Sequence, residues 1–462
     1  MKLYEKVFHR VTDSILAQIV LTGVSSIVFG MFVYKTAYSK NIWWPELAAG
    51  VFVVLFALSM ILIILQKRFD ALELLGAAAC LFCAIYARIL LIPYQSGDYS
   101  VYLLPWTKQL GSMTVKEALS TPLGNYNLTY IYFLTLLSRM NIEILVGIKL
   151  FSCIFDVILA WGVMKLVMTA VEDKRLQLGA FIIVLLSPTI MINSAMWSQC
   201  DAVFCAFCVL SAYAAIEGRG RMCAISWTVA FCFKLQAVFI LPALAVALVM
   251  GKVKFKHLIW IPVVYSISLL PALLAGRSLW DCVSVYVTQV DYYNNLFLNA
   301  PTVWRLFGDA QIPELTNMSV YLALGVIILF SLGVLSVSKK MDDSHLNTLF
   351  FLLALLAAYI LPRMHERYFY LAEVFAIVYF ICDRRKWYVP VTITAASLTN
   401  YMEYFLVYTM SSAEEYAAKT VGVNQVYFSI AILVILAMES RAFFGGIWNE
   451  TTNCAKRQHD MM

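Results

Sequence analysis

Residues 48–66 read AAGVFVVLFALSMILIILQ, nineteen positions without one charge, closed by Lys67 and Arg68. A helix of that length at about 1.5 Å per residue covers the roughly 30 Å apolar core of a bilayer. The pattern continues on both sides. An apolar run from Ile15 to about Tyr34 precedes it, and another at 72–92 follows. The first run is long enough to span, so it reads as a span and not as a cleavable signal. Over the 462 residues, 62% are hydrophobic and 13% charged. Soluble domains run at about 45–50% and 25%. A soluble fold could not hide so much apolar side chain, so a soluble enzyme, a disordered chain and a fibrous repeat are excluded. The fold class is an all-α polytopic membrane protein.

Apolar runs separated by charged loops predict about 14 spans, at 15–35, 48–66, 72–92, 144–165, 176–193, 201–217, 221–233, 236–250, 257–275, 319–338, 346–361, 367–382, 388–408 and 424–442. With that count, one set of loops collects most of the cations: Lys2, Lys6 and Arg10, Lys67 and Arg68, Lys252 to Lys256, Lys339 and Lys340, Arg384 to Lys386. Cations accumulate on the cytoplasmic side, which places both termini there. The net charge of +6 therefore orients spans, and no nucleic-acid partner is expected. Cys205 and Cys208 form a CxxC pair inside an apolar run with no histidine nearby, which reads as packing, so no metal site is expected.

The opposite side holds two long loops, 93–143 and 276–318. In the first, Val101–Leu110 and Leu128–Leu137 are apolar but too short to span, and they predict interfacial helices. The second carries Trp280, Asp291, Tyr292, Tyr293, Trp304 and Arg305. Charged residues at span ends gather on this side: Asp98 in Ser96-Gly97-Asp98-Tyr99, Asp201 in Trp197-Ser198-Gln199-Cys200-Asp201, Lys234 and Gln236 in Phe233-Lys234-Leu235-Gln236, and Arg363 to Arg367 in Pro362-Arg363-Met364-His365-Glu366-Arg367-Tyr368. Each alone has a plain reading as a helix cap, a snorkelling lysine or a loop ion pair. Together they suit transfer from a phosphorylated, membrane-held substrate. Cations hold a phosphate leaving group, and a carboxylate takes the proton of an attacking hydroxyl.

At these residues the sequence resembles the GT-C fold of lipid-phosphosugar-dependent membrane glycosyltransferases. The segment Trp197-Ser198-Gln199-Cys200-Asp201-Ala202 is similar to the Trp-Gly-Gln-x-Asp-Ala pattern of bacterial proteins related to GPI-anchor mannosyltransferases, with serine in place of glycine. Phe233 to Gln236 and His365 to Tyr368 also look like segments of that group. The resemblance covers 72–382, with two additional spans in 1–71 and the C-terminal helices and tail in 383–462. It implies a GT-C-like bundle and an inverting hexosyltransferase without an obligatory metal or other cofactor. Asp98 would be the general base and Asp201 a second catalytic carboxylate. Lys234, His365 and Arg367 would lie near the donor phosphate. Arg305 is added to that group from its place in the second outer loop. Tyr99, Trp197, Gln199, Gln236, Glu366 and Tyr368 would line the substrate site. The implied partners are a polyprenyl-phosphate-linked sugar, a glycan or lipid-linked acceptor, and the bilayer. The implied place is a bacterial plasma membrane with the site on the extracytoplasmic face. Two other classes fit less closely: a lipid-linked glycan transporter or flippase, and a glycan polymerase or ligase using diphosphate-linked donors.

Overall fold

The computed structural model describes residues 14–39, 44–286, 295–308, 313–409 and 414–460. Asp291, Tyr292 and Tyr293 of the second loop, and Lys2, Lys6 and Arg10, lie outside them. Among the described residues every regular element is helical. Eight helices are long and apolar enough to cross a membrane: Ile15–Ser39, Pro45–Ile64, Ala71–Leu91, Ile144–Val167, Phe255–Ala275, Glu314–Lys340, Asp343–Ile360 and Asn424–Trp448. A ninth results if Lys174–Leu186 and Pro188–Met196, bent by 46°, form one broken span. The chain is thus an all-α, multi-pass membrane protein, as its composition requires.

The expected 14 spans are not found. Five runs that read as spans become shorter helices or a helix of mixed polarity. Asp201–Ile216 has 16 residues, Gly220–Phe233 has 14 and Tyr370–Cys382 has 13. At about 1.5 Å per residue these reach roughly 20–24 Å, short of the apolar core. The run at 236–250 is a 3₁₀ segment, Leu235–Ile240, joined to a nine-residue helix, Leu241–Val249. Tyr388–Thr409 is 22 residues long, but threonines, Asn400 and Glu403 interrupt its apolar character. The miscount has a physical cause. A short helix buried on all sides is as apolar around its circumference as a span, and hydropathy alone does not separate the two. Nearly every residue of Asp201–Ile216 is buried. The orientation expected from cation placement rests on the 14-span count, which the helices do not reproduce.

Two compact units emerge: residues 1–111 with 136–206, and residues 112–135 with 207–462. In the first, the Ile15–Ser39 and Pro45–Ile64 helices pack closely. A Cβ on Gly30 would lie 2.7 Å from Val53 Cγ2, so glycine is what permits the approach. Phe29 then meets Phe52, Phe56 and Phe82 at ring separations of 6.4, 5.5 and 5.1 Å. Ala71–Leu91 opens on a reciprocal cap between Asp70 and Glu73. It closes on Lys149, whose fully buried ammonium reaches the carbonyls of Ile92 at 2.9 Å and Tyr94 at 2.6 Å. Pro93 cannot continue the helix, and the chain turns into Ser96-Gly97-Asp98.

The two apolar stretches of the 93–143 loop are both helical. Leu128–Leu137 is a helix with the predicted bounds, beginning in the second unit and ending in the first. Val101–Leu110, in the first unit, lies within a π-turn at Tyr99–Leu103 that runs into the Leu104–Ser112 helix. The 276–318 loop supplies a small core of Leu296, Phe297 and Trp304.

Candidate functional site

Asp98 is half-buried and held by two donors on one oxygen. Trp197 Nε1 donates to Asp98 Oδ2 at 3.0 Å, and Gln199 Nε2 donates to the same atom at 2.6 Å. Trp197 and Gln199 are themselves fully buried, so the carboxylate receives polar groups that have left water. Ser96 ties the two segments together. Its hydroxyl donates to the Trp197 carbonyl at 2.7 Å and accepts from the Tyr99 amide at 3.2 Å. Tyr99 is buried, and burial first, then Glu143, pushes its phenol up to about 12.

The Trp197–Gln199 segment can reach Asp98 because its backbone is irregular. Pro188 opens a new helical turn, Ile192–Met196 is a π-turn, and Ser198 stands at φ 70°. That left-handed conformation is rare for a residue with a side chain. It gives glycine, the residue of the pattern this segment resembles, a physical reason at position 198. Ser198 Oγ is also buried without a partner. Ser198→Gly is therefore expected to raise stability by up to about 1 kcal/mol, and Ser198→Val to lower it by more than about 1 kcal/mol. Thermal melting in detergent reads both, and a destabilising glycine would contradict the strain assignment.

Asp201 is the first residue of Asp201–Ile216, 1% exposed, and accepts from Asn193 Nδ2 at 2.9 Å. The Asn193 carbonyl accepts from the Gln199 amide at 3.0 Å. Asn193 thus fixes both ends of the Gln199–Asp201 corner. Of the expected residues, the first unit brings together Asp98, Tyr99, Trp197, Gln199 and Asp201. Trp197 and Gln199, expected to line the substrate site, donate to Asp98 and orient it.

The second unit holds Lys234, Gln236, Arg305 and His365 to Tyr368. Lys234 follows Gly220–Phe233 in an extended conformation, φ −154° and ψ 135°, which ends the helix. Side chains from the 93–143 and 276–318 segments cover the carbonyls left at that end. Asn127 Nδ2 and the Tyr286 hydroxyl both donate to the Phe231 carbonyl at 3.2 Å, and Thr129 Oγ1 donates to that of Cys232 at 2.5 Å. The Lys234 turn is thereby fixed. Gln236 Oε1 is buried and lacks a hydrogen-bond partner.

Arg305 and the 360–368 loop are drawn close by two bonds. Trp304 Nε1 donates to the Ile360 carbonyl at 2.6 Å, and the Arg363 amide donates to that of Leu296 at 3.1 Å. The Arg305 guanidinium lies over the Phe297 ring at 4.6 Å. Within the loop, Glu366 is 5% exposed and sits between His365, 3.6 Å away, and Arg367, 3.3 Å away. The His365 and Tyr368 rings meet edge to face at 5.4 Å. Glu366 orients both side chains. Burial pushes its carboxyl up, but the hydrogen bond and charge of His365 and the charge of Arg367 outweigh this and bring it down to about 2.

A carboxyl below its usual 4.5 stabilises the fold above about pH 4.5, and that contribution is lost as pH falls toward 2. Glu366→Gln is expected to cost on the order of 3 kcal/mol at pH 7 and to flatten the stability profile between pH 5 and pH 2. Melting temperature against pH checks it, and superimposable profiles would contradict it.

Three charged groups inside spans were missed by the sequence reading. Arg88 Nε and Nη2 each lie 3.0 Å from Asp156 Oδ2, with side-chain exposures of 2% and 0%. Arg88 Nη1 donates to the Leu185 carbonyl at 2.6 Å, and Ser194 Oγ donates to Asp156. Lys149 lies seven residues before Asp156, on the same helix face. The signal was available, since a charge within an apolar run is costly unless it is paired. Among the described residues no group of three or more His, Cys, Asp or Glu gathers in a metal-binding arrangement. No family model and no curated protein matches the chain.

Proposed function

We propose that the protein is a membrane glycosyltransferase that moves a hexose from a polyprenyl-phosphate donor to a glycan or lipid-linked acceptor at the outer membrane face. The observation that carries this reading is the oriented Asp98 carboxylate, clamped by Trp197 and Gln199 at the mouth of an irregular turn. A carboxylate held in one direction beside a loop is suited to accept a proton from an attacking hydroxyl. In the proposed step the acceptor oxygen bonds to the sugar C1 as the C1–O bond to phosphate breaks. The hydroxyl proton passes to Asp98, and polyprenyl phosphate leaves as an anion. Inversion at C1 follows from attack opposite the leaving group. Asp201 would orient a substrate hydroxyl. Lys234, Arg305, His365 and Arg367 are the cations whose chemistry fits a phosphate leaving group. The cation-rich loops would be cytoplasmic under the positive-inside rule.

Membranes containing the protein test the donor class. Label is expected to move to acceptor from a hexosyl polyprenyl monophosphate and not from a diphosphate-linked oligosaccharide. The reverse preference would favour a polymerase or ligase.

Arg88, Lys149 and Asp156 favour a second reading, since ionisable groups within spans also mark transport pathways. Here Arg88 and Asp156 pair with each other and Lys149 caps carbonyls, which suits a structural role. Cysteines placed at 98, 201 and 365 that become accessible alternately from both sides would support transport instead.

A further inference from the structure

A cavity of about 310 Å³ lies in the second unit, at the ends of the Asp343–Ile360 and Tyr370–Cys382 helices opposite to the 360–368 loop that joins them. Its walls come from the first turns of Asp343–Ile360, the end of Tyr370–Cys382 with the following Arg385 and Lys386, and Ala442 to Gly446 of the long C-terminal helix. Asn347 lines it. That side chain is 6% exposed, and neither its Nδ2 nor its Oδ1 has a hydrogen-bond partner. An amide buried in that state is costly unless an occupant completes it. The occupant must accept from Nδ2 and donate to Oδ1.

The charges define the acceptor. Arg385 is held by both oxygens of Asp383 at 2.9 Å, and Lys386 by Glu439 at 2.7 Å. His345 lies 2.7 Å from Asp342. Asp383 itself lines the cavity, and Asp342 already caps the first-turn amides of the Asp343–Ile360 helix, so Arg385 and Lys386, fixed in place by their carboxylates, are the groups that would meet an anion. A phosphate ester bearing a hydroxyl or ammonium group satisfies all of these features.

The surroundings point to its source. Trp387 and Trp448 are 59% and 66% exposed, and Lys340 lies over the Trp448 ring at 5.4 Å. Exposed tryptophans beside basic residues at helix ends mark the headgroup level of a bilayer. Ala442 and Gly446 line the cavity, and Met438 and Val434 continue the same face at four-residue steps. Both are apolar and about half-exposed.

We propose that this cavity binds the headgroup of a membrane phospholipid that carries both a phosphate and a hydrogen-bond donor, with the acyl chains along the Val434–Met438 face. The site is independent of the transfer reaction and of Asp98. Native mass spectrometry and melting of the purified full chain test it, with added phosphatidylglycerol, phosphatidylethanolamine, phosphatidylcholine or inorganic phosphate. Phosphatidylglycerol and phosphatidylethanolamine are expected to remain bound and raise the melting temperature, with roughly tenfold preference over phosphatidylcholine, which lacks the donor. Asn347→Leu, which replaces the unpaired amide with an apolar group, is expected to fold and to lose that preference. Arg385→Gln is expected to weaken all three lipids. Equal binding of the three lipids, an unchanged preference in Asn347→Leu, or an equal shift from inorganic phosphate alone would each overturn the assignment.

Discussion

Asparagine in place of Asp98 is expected to lower sugar transfer by roughly 10²–10⁴-fold, the usual contribution of a positioned general base. Melting temperature should change little. Asparagine keeps the shape of the side chain, and its carbonyl oxygen can still accept from Trp197 Nε1 and Gln199 Nε2, which both converge on one oxygen of Asp98. What it cannot do is take a proton. The competing explanation is that Asp98 serves only to satisfy the buried Trp197 indole. It makes a different prediction: asparagine, still an acceptor, would then be nearly silent. Trp197→Phe separates the two further. It removes one of the two donors that orient the carboxylate, so transfer should fall with the base still present, and the loss should be smaller than for Asp98→Asn. Initial rates with a saturating lipid donor, measured beside thermal melting, give the answer.

The largest stability effect is expected at the ion pair between Arg88 and Asp156. Both side chains are essentially without solvent, and Arg88 also reaches two carbonyls. Replacing only Arg88 by leucine leaves Asp156 buried with Ser194 alone, and removal of one member of such a pair costs about 3–5 kcal/mol. Replacing both residues by leucine should recover much of that loss, because the desolvation of both charges is also removed. A double-mutant cycle on unfolding in mixed detergent measures the coupling. A single Arg88→Leu that costs less than about 1 kcal/mol would mean that the pair is dispensable.

Much of the fold could be read in the chain because it is written locally. Residues 48–66 and 72–92 carry enough uninterrupted apolar side chain to read as spans whatever surrounds them, and each falls in a helix long and apolar enough to cross a membrane. The capping pair Asp70 and Glu73 and the stop at Pro93 are local too. The short helices were not legible as short. Gly220–Phe233 ends where Lys234 turns extended, and Asn127, Thr129 and Tyr286, far away in sequence, cover its last carbonyls. No window of hydropathy contains that information.

The candidate site divides in the same way. Asp98 and Asp201 stood out as charges at span ends. That Trp197 and Gln199 serve Asp98, 99 and 101 residues away, depends on the π-turn and on the left-handed Ser198, which are backbone facts. Serine at 198 gives no local sign that the residue must adopt positive φ. Arg88, Lys149 and Asp156 were legible in principle. They were hidden among apolar neighbours whose hydropathy outweighed them.

Breakage of the sugar–phosphate bond can be followed directly. Purified protein in liposomes is given labelled hexosyl polyprenyl monophosphate together with acceptor extracted from native membranes, and free polyprenyl phosphate is followed with time. Steady release is expected from the wild-type protein, with a fall of about two orders of magnitude or more for Asp98→Asn. Intact labelled lipid crossing to the other leaflet, with no polyprenyl phosphate released, would contradict it.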